Sequence, residues 1–242
     1  PAMLKGLRRL VGDTPQKVRR GIAPQALRRA FDLCLDPNDP VHANIRAALA
    51  TALQGLLRSS EFACDAGVQW KPDRHISRAD IVSLSADKMV LMIAPCKNMH
   101  HLGGKTCPLV IGGGGEFVDA VWEVRNMLRV DPVDPALATS TPLFRTPSTN
   151  EPLRTGPVRD ITRVMMTAIG EDPAEFGTHS YRIGGATALF AAGADPTVIR
   201  TMGRWSSDCY RLYVRACYEQ SLSWTRRAGS QRVTDVAGAE FD

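Results

Sequence analysis

The sequence predicts a mostly α-helical domain carrying one small antiparallel β-sheet, an α+β class, and three observations lead there. Apolar residues recur at helical spacing through most of the chain. Only within 76–111 does the pattern shift to short β-rich runs broken by glycine. The composition, 44% hydrophobic and 23% charged over 242 residues, is that of a globular protein with a substantial buried core.

Residues 1–22 read as a basic linker interrupted by Gly12 and Pro15. A helix is predicted from about Pro24, with Leu27, Phe31, Leu33 and Leu35 as its apolar side. The run Asp36-Pro37-Asn38-Asp39-Pro40 stops it and begins the next, with Asp39 as N-cap and Pro40 in the first helical position. That helix, about 41–58, sets Ile45, Leu49, Leu53, Leu56 and Leu57 on one stripe and ends at Arg58. Strands are expected at 81–84, 89–93 and 107–111, the last two joined as a hairpin through Gly103-Gly104-Lys105. The Gly112–Gly115 run precedes a helix near 116–129. The proline-rich stretch 131–157 reads as a surface connection with a short extended piece at Leu143-Phe144. Helices follow at about 157–169, 178–192, 196–203 and 207–220. The expected division is therefore a linker over 1–22, one domain over 23–228, and a polar, disordered tail over 229–242. The opening Pro1-Ala2-Met3 reads as the edge of a longer protein.

No apolar run approaches the ~18 residues a membrane span needs, and no signal-peptide pattern opens the chain. The six cysteines form no C-x-x-C pair and read as reduced thiols. Cys96, His100, His101 and Cys107 match no familiar zinc spacing, so no metal is expected. Net charge is +5, but residues 1–30 carry eight Lys or Arg against the single acid Asp13. Within that arm Arg8, Arg9, Lys17, Arg19 and Arg20 are candidate phosphate contacts on DNA, the other reading being a solvated leader.

The chemistry concentrates in Gly177-Thr178-His179-Ser180-Tyr181-Arg182-Ile183-Gly184-Gly185-Ala186-Thr187 and in Gly203-Arg204-Trp205-Ser206-Ser207-Asp208-Cys209-Tyr210-Arg211-Leu212-Tyr213-Val214-Arg215, with Ala192-Gly193-Ala194-Asp195 between them. His179 and Arg182, three apart at a helix start, share a face and pair a proton carrier with a guanidinium fork suited to phosphate. His-x-x-Arg alone is common by chance. Its combination with a small-residue helix and a tyrosine at fixed distance is not.

These motifs resemble the tyrosine recombinase (integrase) superfamily, and GRWSSD with the closing Tyr-Val-Arg look most like recombinases of eukaryotic mobile elements, the DIRS and Crypton types. The resemblance covers about residues 20–220 and is strongest in 177–215. It implies the catalytic-domain fold of that family and a nucleophilic tyrosine. Tyr213 follows Trp205 by eight residues, one fewer than in much of the family, a shorter form that the eukaryotic branch tolerates. Tyr210, one helical turn earlier, is the alternative nucleophile. The family's upstream arginine matches Arg58 in Arg58-Ser59-Ser60-Glu61, with Glu61 as the supporting carboxylate. The ordinary reading of Arg58 is a cation at the negative end of its helix. The family's hairpin lysine, which protonates the leaving 5′ oxygen, matches Lys97, with Lys105 as the alternative. Trp205 fills a position often held by His; its indole donates one N–H but shuttles no proton, and core packing is its ordinary role.

The implied reaction is attack of Tyr213 on a scissile phosphate, giving a 3′-phosphotyrosyl link. Arg58 and Arg182 stabilise the non-bridging oxygens, and His179 assists a tyrosine whose free pKa is about 10. The bond energy is kept in the covalent link, so no cofactor is expected. The expected partners are double-stranded DNA and further copies of the chain, as a dimer or tetramer on DNA. The location would be the nucleus if the source is eukaryotic, and the cytoplasm otherwise. A type IB topoisomerase, a telomere resolvase and a catalytically silent DNA-binding relic of a transposon are the other readings.

Overall fold

In the computed structural model the described residues are 19–93, 107–205 and position 226. They form seven α-helices, short 3-10 turns, a three-stranded sheet and a two-stranded ribbon. No helix among them is long and apolar enough to cross a membrane.

Helix α1 spans Pro24–Cys34 and buries Leu27, Ala30 and Phe31. Leu33, expected on the buried side, is 60% exposed, because it points away from the Leu27–Phe31 stripe. Helix α2, Pro40–Gln54, opens as anticipated: the Asp39 carboxylate accepts from the His42 N–H at 2.8 Å and Pro40 follows it. Its alanine-rich middle (Ala43, Ala47, Ala48, Ala50, Ala52) is wholly buried, so neighbouring helices pack closely on several sides. It is the central helix, packed against α4 and α6.

Helix α2 stops at Gln54, not at Arg58 as the periodicity predicted. Leu57 N–H bonds to Ala52 O at 3.0 Å and Leu56 N–H to Leu53 O at 3.4 Å, with Leu56 at φ 49°. This is a Schellman stop with leucine where glycine is the usual choice. Leu56 and Leu57 are still fully buried, which is why they read as a continuation of the helical stripe. Arg58 then becomes the N-cap of a single turn, α3, Ser59–Phe62.

Strands β1 (Ile81–Leu84), β2 (Lys88–Ile93) and β3 (Cys107–Gly112) form an antiparallel sheet in that order. Met89, Leu91 and Ile93 pair with Ile111, Leu109 and Cys107. Their alternation is the period-2 signal of a sheet buried on one face, while Val82 and Val110 face outward. Helix α4, Ala120–Val130, begins later than expected because Asp119 caps it by accepting from Trp122 N–H.

The stretch 131–157 is not a loose connection. It holds a 3-10 turn, Pro135–Ser140, and a ribbon of β4 (Arg145–Thr146) with β5 (Glu151–Pro152). Leu143 and Phe144 join the core. Asp131 is buried between Arg78 and Arg145 and also accepts from Asn44. Prolines marked the turns but gave no sign of this buried ionic knot.

Helices α5 (Thr155–Ala168), α6 (Ser180–Ala191) and α7 (Pro196–Met202) complete the described body. In α6, successive residues lie about 100° apart, so Gly184 and Gly185 face different neighbours. A Cβ on Gly184 would lie 1.9 Å from Ile22 O, and one on Gly185 2.0 Å from Leu53 O. Glycine is what lets both backbones approach. The end of the expected linker is thereby part of the body: Ile22 is buried, and its N–H bonds to Ser180 O at 3.0 Å.

Candidate functional site

Arg182 projects from the first turn of α6, which begins right after His179. Its side chain is almost wholly buried, its exposure only 2%. One guanidinium nitrogen donates to Leu56 O and the other to Gly203 O at 2.6 Å, while its plane lies over the Trp205 ring at 4.1 Å from the centroid. A guanidinium is among the few cations that tolerate such a setting, because its plane can stack while its edge hydrogen-bonds. Trp205 is seated by Gly203, whose added Cβ would collide with Cζ3 of the indole at 1.8 Å.

Arg58 reaches the same place from the other end of the sequence. Glu61, at the third position of α3, accepts from the Arg58 backbone N–H at 2.7 Å and from Arg58 Nη1 at 2.9 Å. The second guanidinium nitrogen of Arg58 donates to Arg204 O at 3.1 Å. Arg58 thus occupies an N-cap, not the C-terminal cap of α2 that ordinary helix electrostatics offered. Its side chain remains about one-third exposed, so it can meet a ligand.

Arg204 is the residue the sequence did not single out. It lies at φ 55°, donates to Glu61 Oε2 at 2.7 Å and to Met202 O at 2.9 Å, and its guanidinium also reaches Gly55 O and Leu56 O. The one available signal was an arginine between Gly203 and the motif tryptophan. Nothing in one dimension shows it facing Glu61, 143 residues away.

His179 is half-buried beside this cluster. Burial lowers its pKa first, and the positive charge of Arg182 lowers it further, so the imidazole is neutral at pH 7. A neutral imidazole can accept a proton. The site therefore combines three guanidinium groups, one carboxylate and a neutral base, an excess of positive charge suited to an anion such as a phosphodiester.

Arg58, Glu61, His179, Arg182 and Trp205 are thus brought into one region. Lys97 and Lys105 fall in 94–106, between the paired ends Ile93 and Cys107, outside the described residues. Tyr210, Tyr213, Arg8, Arg9 and Lys17 also lie outside them, as do Cys96, His100 and His101. No group of three metal-ligating side chains occurs among the described residues. Arg19 donates to the carbonyls of Ala174 and Phe176, and Arg20 pairs with Glu171 and Glu175 at 2.7 and 2.8 Å. Those two arginines hold the start of the domain to its own surface.

Solved structures share this architecture. The XerH site-specific recombinase bound to its difH substrate, in a pre-cleavage complex, superposes with a TM-score of 0.59 over 91% of this chain and 57% of that one, at 14% identity. The XerA recombinase gives 0.59 over 91% of this chain and 67% of that one, at 13% identity. The Tn1549 transposon integrase in complex with transposon right-end DNA gives 0.57 over 90% and 68%, at 15% identity. The chain therefore spans a little over half the length of XerH and about two-thirds of the other two. No protein-family model matches the chain, and no curated protein is similar to it in sequence. At these identities the similarity is one of fold.

Proposed function

We propose, from the premise that this chain has the catalytic-domain fold of tyrosine recombinases, that it cuts and rejoins double-stranded DNA through a 3′-phosphotyrosyl intermediate. The observation that carries the reading is the convergence of Arg58, Arg182 and His179, from segments more than a hundred residues apart, on one positively charged site. A fold alone is compatible with many functions, so the reading rests on that constellation, whose positive charge suits a phosphodiester.

In this reading Tyr213 attacks the scissile phosphorus, its oxygen replacing the 5′ oxygen of the next nucleotide. Neutral His179 takes the phenolic proton. Arg58 donates to a non-bridging oxygen from its exposed edge. Arg182, stacked on Trp205 and bonded to two carbonyls, holds positive charge beneath the same phosphate and fixes the turns that carry Arg58 and Trp205. The Trp205 N–H serves as a further donor. Lys97 gives a proton to the leaving 5′ oxygen, with Lys105 as the substitute. Attack of that hydroxyl on the phosphotyrosine reverses the step and rejoins a strand. Recombination between two sites needs several copies of the chain on DNA, and the GRWSSD motif favours a mobile element of eukaryotic type, hence a nuclear setting. Arg8, Arg9 and Lys17 supply phosphate contacts on the flanking duplex.

Covalent capture tests this. The full chain is incubated with a randomised pool of nicked duplexes and quenched in SDS, and nucleotide-bearing peptides are mapped by mass spectrometry. An adduct on Tyr213 that Tyr213→Phe abolishes is expected. An adduct on Tyr210 would move the nucleophile by one turn. Absence of any adduct, with retained DNA binding, would favour the silent relic.

A further inference from the structure

Two helix ends meet at the site, and both are built in the same unusual way. Helix α2 closes with Leu57 N–H to Ala52 O and Leu56 N–H to Leu53 O. Helix α7 closes with Trp205 N–H to Arg200 O and Arg204 N–H to Thr201 O, each at 3.0 Å. Each is a Schellman stop, and each puts a non-glycine residue, Leu56 at φ 49° and Arg204 at φ 55°, where glycine is the default. Left-handed backbone at a non-glycine residue is retained where the surroundings demand that side chain. Here the surroundings are each other. Arg182 bridges the two stops by donating to Leu56 O and Gly203 O, and Arg204 crosses back to Gly55 O, Leu56 O and Glu61.

Glu61 is the shared member. One oxygen receives Arg58 Nη1, and the other receives Arg204 Nη2 at 2.7 Å together with the Arg58 backbone N–H. The Arg204 side chain is 10% exposed and engaged with Glu61, whereas that of Arg58 is about one-third exposed. The Arg204 carbonyl also accepts from Arg58, so this one residue grips Arg58 directly through its backbone and indirectly through Glu61.

We propose that Arg204 is a positioning residue for the cleavage reaction, locking Glu61, and through it the Arg58 guanidinium, against the Arg182–Trp205 pair. The role rests on the recombinase reading above, and it explains why an arginine stands at a position whose backbone favours glycine. Arg204 touches no reacting atom. Its loss frees Arg58 to sample orientations in which its exposed edge misses the phosphate, an error of the size that costs about 100-fold in rate.

The test replaces Arg204 with glycine, which the backbone welcomes, so that folding and positioning separate. Single-turnover cleavage of a duplex obtained by covalent capture is measured for wild type, R204G, R204K, E61Q and the double variant R204G/E61Q. R204G is expected to unfold in one cooperative transition at a lowered Tm and, assayed well below that Tm, to bind the duplex within about threefold while its cleavage rate falls about 100-fold. R204K, which keeps the charge without the fork, recovers part of the rate. E61Q loses a similar factor, and the double variant loses little more, because the two residues act as one unit. A rate for R204G within twofold of wild type, or losses that multiply in the double variant, would overturn the proposal. A second arm needs no cleavage: the Arg58 Nε–H resonance in 15N-labelled protein should shift and lose order in R204G. If wild type forms no adduct, the recombinase reading fails on that result alone. An unmoved Arg58 resonance refutes the positioning role separately.

Discussion

Replacing Gly185 with alanine turns a change that ordinarily strengthens a helix into one that damages this fold. In an exposed helix interior the substitution stabilises by about 1 kcal/mol, because alanine has less backbone freedom to lose. At Gly185 the new methyl carbon would stand 2.0 Å from Leu53 O and 2.6 Å from Leu56 Cδ2. Carbon and oxygen approach to about 3.3 Å at best, so α6 and α2 must separate by roughly 1 Å. Both belong to the close-packed centre, where overpacking costs about 1–3 kcal/mol and the backbone contact puts this case at the upper end. Subtracting the propensity gain leaves a net loss of about 2 kcal/mol, or roughly 4–8 °C in Tm for a domain of this size. Gly156 is the internal control: it lies in the first turn of α5 with nothing within 4 Å of an added Cβ. Gly156→Ala should leave Tm unchanged or raise it slightly. Thermal and urea denaturation of the two variants beside wild type decide the matter. G185A melting at or above wild type would refute the close-approach argument. The same displacement moves Leu56 O, which Arg182 uses, so adduct formation should drop in G185A even below its melting temperature.

Other perturbations separate the roles of individual side chains. Tyr181 is fully buried, its hydroxyl lies 2.9 Å from Thr162 Oγ1, and burial raises its pKa well above the free value. Tyr181→Phe should therefore cost about 1 kcal/mol of stability and still yield the DNA adduct; an adduct lost in the folded variant would mean that the nucleophile is misassigned. Because burial and Arg182 lower the His179 pKa, the group is already neutral above its free value of about 6.5. The cleavage rate should then be flat at neutral pH and fall as the solution is acidified through the lowered pKa, a limb that His179→Gln abolishes. The unfolded chain binds this proton more readily than the native one, so stability also falls as pH drops below about 6.5, and urea titrations of H179Q should show a shallower fall. Asp131 balances Arg78 and Arg145 in the interior, so Asp131→Asn should cost about 3–5 kcal/mol, and a loss below 1 kcal/mol in a urea titration would show that the knot is less desolvated than its geometry implies.

The sequence by itself determined the helical class, the sheet and several local pairings. Those features depend on local physics: alternation in Met89–Ile93, the Asp39-Pro40 start signal, and His179 with Arg182 one turn apart on a helix. A short-range signal survives in one dimension because the residues that make it are neighbours. Arg58 and Glu61 were legible for the same reason, being joined within a single turn.

What only the tertiary structure decided depends on contacts between distant segments. The periodicity of Leu53, Leu56 and Leu57 said helix, and burial kept all three in the core. Yet the helix stops at Gln54 and Leu56 turns left-handed, with its carbonyl accepting from Arg182 of α6. The Asp131 knot was hidden because its partners, Asn44, Arg78 and Arg145, come from three separate stretches. Arg204 was passed over although it stands inside the strongest motif. Its meaning lies in a left-handed turn that faces Glu61, and neither the turn nor the facing carboxylate exists until α2 and α7 end side by side.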